Sequence, residues 1–259
     1  MLSSFLRFSL FTTTACISSF SFAENVENLT AGKVYTNTQT FALQLNQSRV
    51  IYNPESKGTS LTINNPQDYP ILVQSKVLEE DKVTPSSFVI TPPLFRLDAK
   101  QQSRVKILMN DAKHADDREK LKWLCVTGIP PKLDDAWAND IGADKSVKKD
   151  TNINLKISVS NCVKLFVRPQ KLRDDPADLA SKINWSRTSA GLKAENNTPY
   201  YMSLSFVAVN GKKIKDVDYI EPYSSKIFTS DDKSGKIEWK VVNDYGGESD
   251  KFEGKISSN

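Results

Sequence analysis

The stretch NINLKISVSNCVKLFVRP, residues 152 to 169, decides the fold. Ile153, Leu155, Ile157 and Val159 alternate with Asn154, Lys156, Ser158 and Ser160. Successive side chains of a strand point to opposite faces, so the four apolar ones share one face. Cys162 and Lys164 follow, ahead of an apolar run closed by Arg168 and Pro169. A rod that carries an apolar row and a fixed positive charge suits gripping an extended peptide by a charged end.

The same style of sequence continues on both sides. Between Tyr35 and Gln102 run FALQLNQSRVIYN, SLTINNP, YPILVQSKVL and SFVITPPLFRL, short alternating segments punctuated by turn residues. This spacing predicts an all-β sandwich. Asn53-Pro54, Asn65-Pro66, Tyr69-Pro70 and Pro92-Pro93 fall where turns or edges belong, because proline brings no amide hydrogen to a ladder. DAKHADDREK, residues 111 to 120, has room for a turn or two of helix before the strand LKWLCVTGI, which stops at Pro130-Pro131. Residues 132 to 151 are polar and charged and read as a long exposed loop. PQKLRDDP, residues 169 to 176, reads as a linker. A second all-β domain follows over 177 to 259, with strands KINWSR, GLKAEN, YYMSLSFVAV, KIFTS and KIEWKVVND. The first domain then spans residues 24 to 168.

The opening residues are expected to be removed. Arg7 precedes a mostly apolar run from Phe8 to Ala15, and Ser21-Phe22-Ala23 offers small residues to a signal peptidase, so residues 1 to 23 form a signal peptide cut after Ala23. Cys16 lies within it, and its flank Thr13-Thr14-Ala15 lacks the leucine-led pattern of a lipid-modified cysteine. No later apolar run reaches the roughly 18 residues of a membrane span. An exported protein in an oxidising compartment, with two cysteines left, is expected to join Cys125 to Cys162. That crosslink closes 37 residues and is worth about 4 kcal/mol in the chain-entropy account. If the two cysteines face one another on antiparallel strands, Ile157 falls opposite Pro130 and Ile153 opposite Asp134. The preceding strand has ended by then, so the first half of the long strand outruns its neighbour and needs another partner.

Charge and chemistry exclude more than they select. The net charge of +4 comes from 35 Lys and Arg scattered among 31 Asp and Glu, which marks neither a nucleic-acid footprint nor a polybasic membrane patch. The single histidine, His114, sits in a charged loop away from any metal-ligand spacing. Asp116-Asp117 and Asp134-Asp135 read as solvated loop carboxylates, and no Gly-rich phosphate loop occurs. No cofactor, metal or catalytic residue is expected. Arg49 ends the alternating run Phe41, Leu43, Leu45 much as Lys164 follows Ile153 to Val159. Facing one another in a cleft between domains, the two cations make a carboxylate site, with Arg bidentate and Lys a point charge. From spacing alone, an ordinary surface cation is the commoner meaning of either.

Several motifs in order resemble the periplasmic pilus chaperones of the chaperone-usher pathway: SRVIY (48 to 52), TPPLFRL (91 to 97), DREKLKWLCVTGIPP (117 to 131), KLFVRP (164 to 169), NNTPYYMSL (196 to 204) and NDYGG (243 to 247). The two cysteines, the loop from Lys132 to Thr151 and the arm from Glu24 to Gln47 resemble the long-loop subfamily that serves thin, non-pilus surface fibres. The resemblance implies two immunoglobulin-like domains set as an L. It implies that Arg49 and Lys164 bind the terminal carboxylate of a fibre subunit, while Ile153, Leu155, Ile157 and Val159 fill the groove left by the subunit's missing strand. Phe41, Leu43 and Leu45 of the arm are expected along the groove's other edge. Glu119, Arg168 and Asp244 match an inter-domain charge network. Thr91, Pro92, Ile129 and Pro130 match the surface offered to the outer-membrane usher, although Lys106 stands where that surface is expected to carry arginine. Exposed apolar edges favour self-capping of the free protein in a homo-oligomer. The rival reading is an exported, immunoglobulin-like fibre subunit, which should be one domain lacking the Lys164-bearing strand. A secreted hydrolase finds no nucleophile and base.

Overall fold

A computed structural model describes residues 33–110, 117–131, 135, 151–230, 232 and 234–258. The signal peptide, His114, Asp116, Asp134 and nearly all of the loop over 132–150 lie outside the described residues.

The first ten strands are β1 (Val34–Phe41), β2 (Gln44–Leu45), β3 (Arg49–Tyr52), β4 (Thr59–Asn64), β5 (Ile71–Leu78), β6 (Phe88–Thr91), β7 (Leu94–Leu97), β8 (Gln102–Met109), β9 (Lys120–Ile129) and β10 (Thr151–Val167). One sheet has the order β1-β10-β9-β5-β7, with β3 also on β10, and the other runs β2-β4-β8-β6. Alternate residues of each face inward. Leu61, Ile63, Val105 and Ile107 from the second sheet meet Val73, Leu124, Val126 and Leu165 from the first, all fully or almost fully buried. Two opposed apolar faces of this kind define a sandwich.

The second set comprises β11 (Ile183–Thr188), β12 (Gly191–Asn196), β13 (Met202–Val209), β14 (Lys212–Lys213), β15 (Tyr219–Ile220), β16 (Ser224–Phe228), β17 (Lys236–Val241), β18 (Phe252–Lys255) and β19 (Ser257–Ser258). Its sheets are β16-β12-β11-β19 and β14-β13-β17-β18, with β15 on β13. They enclose a separate core around Trp185, Leu192, Val207, Ile237 and Trp239. The turn read between Ala177 and Ile183 is a single 3-10 turn, Ala180–Lys182. A third cluster joins Leu78, Leu121, Trp123 and Phe166 of the first sandwich to Tyr201 of the second.

The register worked out from the cysteines holds. Cys162 pairs with Cys125 and Val159 with Gly128, a disulfide joins the cysteines, and β9 ends at Ile129 while β10 runs on. One edge of the overhang has a partner within the chain: β1 lies parallel to it, from Val34 beside Thr151 to Phe41 beside Ser158. Here the expectation for the arm is corrected. Phe41 and Leu43 are 0% and 2% exposed in the domain's own core, and Leu45 packs against that core. The reason is a change of sheet. After Phe41 the chain leaves β10 and β2 pairs with β4 in the opposite sheet, so these side chains close the sandwich. The crossing is tight. A Cβ on Gly128 would sit 2.1 Å from the Phe41 carbonyl oxygen, and only glycine permits that approach.

Candidate functional site

β10 presents two different faces to two different places. Ile153, Leu155 and Ile157 are 48%, 48% and 40% exposed, and Val159 is half-buried. They share parity with Val163, Leu165 and Val167, which join the first core. The exposed row is therefore the domain's inward face carried past the body of the sandwich, and anything that packs on it extends the core. Lys164 and Phe166 point the other way, toward the second domain.

There the two cations meet. β3 runs parallel to β10 and Lys164 pairs directly with Arg49, so both side chains leave the sheet on the same face. Arg49 is 8% exposed. Its Nη1 donates to the Val242 carbonyl of the second domain at 2.9 Å, and its guanidinium lies 5.7 Å from the centre of the Phe166 ring. Arg49 Nε is buried without a hydrogen-bond acceptor among the described residues. A buried orphan donor is costly, and this one is free to take an acceptor. Burial lowers the pKa of Arg49, against the raising influence of Asp244, Asp175 and Glu119.

Lys164 donates to Ser203 Oγ at 3.3 Å, and its ammonium sits 4.6 Å from the centre of the Tyr219 ring. Burial pulls its pKa down to about 8, reinforced by Arg49, Lys226 and Lys82 and opposed by Asp218. The two cations thus stand side by side with no carboxylate within ion-pair distance of either among the described residues, an arrangement whose field favours an anion.

Behind them lies the charge network expected from the sequence. Arg168 donates through Nε to Glu119 at 2.6 Å, and through Nη1 and Nη2 to the two oxygens of Asp244 at 2.5 and 2.6 Å. The second oxygen of Glu119 accepts the Tyr201 amide at 2.8 Å. Arg168 thus bridges Glu119, just ahead of β9 in the first domain, to the β17–β18 connection of the second. Burial opposes its charge, but bonds to Asp244 and the charge of Glu119 outweigh it and hold the guanidinium protonated. Burial pushes Glu119 up despite Arg168, so the deeper acid bears the desolvation cost. Thr91 and Lys106 are cross-strand neighbours on β6 and β8. Ile129 lies on the other sheet beside Leu72, with Pro130 following it and Pro92 in the β6–β7 turn. Thr91 and Lys106 are thus neighbours on one sheet, while Ile129 and Pro130 belong to the other sheet of the same sandwich. Sequence reasoning missed Glu80, Ser203 and Tyr219, since nothing local distinguishes them.

Two immunoglobulin-like sandwiches with a cationic cleft and an overhanging apolar strand define a chaperone of pilus assembly. The family model described as "Pili and flagellar-assembly chaperone, PapD N-terminal domain" matches residues 42–173, and "Pili assembly chaperone PapD, C-terminal domain" matches 178–253. The chain belongs to this family, and it is a chaperone of fimbrial biogenesis in the chaperone-usher pathway, whose members work in the periplasm. It is 48% identical over 199 residues to the chaperone protein AfaB of Escherichia coli, across 77% of this chain and 80% of the relative. The crystal structure of the E. coli chaperone DraB superposes with a TM-score of 0.75 at 46% identity, covering 86% of this chain and all of that one. The SafB chaperone of Salmonella enterica, solved in complex with the SafA pilin, superposes with a TM-score of 0.75 at 37% identity over 85% of this chain and 99% of SafB.

Proposed function

We propose that the chain acts without catalysis, lending β10 to fibre subunits that lack a strand and passing them to the outer-membrane usher. Arg49 and Lys164 bind the subunit's terminal carboxylate, and Ile153, Leu155, Ile157 and Val159 fill its groove. The observation that carries the reading is the in-register pair of Arg49 on β3 and Lys164 on β10, the strand whose other face forms the exposed row. A single rod thus offers a charge anchor and a strand in fixed register, which is β-augmentation with alternate side chains read by pockets. An incomplete sandwich otherwise exposes an edge and apolar core that aggregate.

Glu119, Arg168 and Asp244 set the domains' orientation. Thr91, Pro92, Ile129 and Pro130, with Lys106, form the usher contact. The loop from Lys132 to Thr151, the clamping disulfide and the N-terminal arm support service to thin, non-pilus fibres, in line with the AfaB likeness. Export follows cleavage after Ala23, domain boundaries fall near 168 and 177, and the free protein caps its apolar edges in an oligomer. The test is subunit recovery from the periplasm with Arg49→Ala and Lys164→Ala. Both are expected to abolish recovery while each variant keeps its far-ultraviolet spectrum and melting transition; normal yield from both overturns the anchor.

A further inference from the structure

We propose that Tyr219, contributed by the second domain, is the seat of Lys164, a positioning residue that holds the ammonium where a subunit carboxylate meets it. This rests on the carboxylate-anchor reading of Arg49 and Lys164. A lysine stem carries about 2 kcal/mol of rotamer entropy, so an unrestrained ammonium makes a poor anchor. Lys164 has two restraints, and neither is an anion: the Tyr219 ring, 4.6 Å from Nζ, and the Ser203 hydroxyl, 3.3 Å away. The negative face of a ring attracts a cation without neutralising it. A carboxylate in the same place would hold the lysine as well, but it would compete with the subunit's terminus.

The ring is itself fixed. Tyr219 donates its hydroxyl to Glu80 Oε1 at 3.0 Å. Tyr201 donates to the other oxygen of Glu80 at 3.3 Å, and its ring meets Tyr219 edge-on at 5.6 Å. The Glu80 carbonyl accepts Trp123 Nε1 at 3.2 Å. Glu80 follows β5 of the first domain, so the tether crosses the domain boundary and couples the seat to the domain arrangement. Burial and the Glu80 carboxylate raise the Tyr219 pKa, which keeps the phenol a donor. Lys226 lies 5.1 Å from the same ring but is paired with Asp218 at 3.0 Å, so Lys164 is the cation left for a ligand.

The experiment uses the whole chaperone with lysine isotope labelling, acetate as the carboxylate probe and acetamide as its neutral control. Nuclear magnetic resonance of the Lys164 ε-methylene reads both the seat and the binding. The expected result is a ring-current upfield shift in the wild type and Tyr219→Phe that Tyr219→Leu abolishes, with acetate affinity about threefold or more weaker in Tyr219→Leu alone. Equal acetate affinity in the wild type and Tyr219→Leu, or an equal loss in Tyr219→Phe with the ring-current shift retained, overturns the seat and leaves the anchor standing. Failure of acetate to perturb Lys164 in the wild type overturns the anchor and the seat together. Melting of each variant separates a local effect from misfolding, and Tyr219→Met, which also lacks a ring but fills irregular gaps, takes the place of Tyr219→Leu if the latter does not fold.

Discussion

At the residue scale the cleft is governed by the protonation of Lys164. Its pKa is drawn from the ordinary 10.5 to about 8, chiefly by burial. Of the two forms of Lys164 only the ammonium attracts a carboxylate, so binding is expected to be flat near neutrality, above the carboxylate's own titration, and to fall as the pH passes the folded pKa toward the weaker level that Arg49 alone sustains. A titration of acetate or subunit affinity checks this, and Lys164→Arg should flatten the profile. The stability sign is opposite. Between about 8 and 10.5 the unfolded chain binds this proton and the folded chain does not, so Lys164 makes stability rise with pH across that window. Lys164→Met should remove the rise, as read by chemical denaturation across the same pH range. The two cations were legible because each closes an alternating run. Their neighbours were not, since Glu80 and Tyr219 are 139 residues apart and no local pattern joins them.

At the scale of the element, β10 is one strand with two energetic regimes. Leu165 and Ile157 share a face, yet Leu165 is 0% exposed and Ile157 is 40% exposed. Leu165→Asp buries an unpaired carboxylate and should cost more than about 3 kcal/mol or prevent folding. Ile157→Asp should leave denaturant stability within about 0.5 kcal/mol while subunit capture is lost. Unaltered capture by Ile157→Asp would show the exposed row to be idle. The partner of the overhang depends on a crossing. Gly128→Ala sets a Cβ against the Phe41 carbonyl, so either β1 lifts from β10 or β9 shifts. The expected cost is about 2 kcal/mol or more, with faster amide exchange over residues 34 to 41 as the companion readout. The alternation and the overhang could be read from the sequence, because period two and a single disulfide set both. The fate of Phe41, Leu43 and Leu45 could not. Alternation assigns them one face but does not say which sheet that face belongs to, and the switch from β10 to β4 decides it.

At the scale of the molecule, capture requires that two sandwiches hold one cleft. Arg49 and Lys164 stand on the first domain, whereas Val242, Ser203 and Tyr219 that orient them stand on the second. Arg168 holds that arrangement through Glu119 and Asp244, with Asp175 of the linker accepting the Asp244 amide at 3.1 Å. A buried ion network is weak evidence for stability, and this one binds residues far apart in sequence at the point where the domains join. Arg168→Ala leaves Glu119 buried beside Asp244 without a counter-charge and should cost about 3–5 kcal/mol. The sharper expectation concerns coupling. With the bridge gone, the unfolding transitions of the two domains should lie further apart in calorimetry than in the wild type, and acetate affinity at the cleft should drop although neither Arg49 nor Lys164 has changed. Replacing Glu119, Arg168 and Asp244 together by apolar residues of similar size should recover much of the melting temperature, because no charge is then stranded, yet leave the cleft weakened. Recovery of both stability and affinity in that triple variant would show that the network contributes packing alone, and that the cleft is held by the Leu78, Leu121, Trp123, Phe166 and Tyr201 cluster.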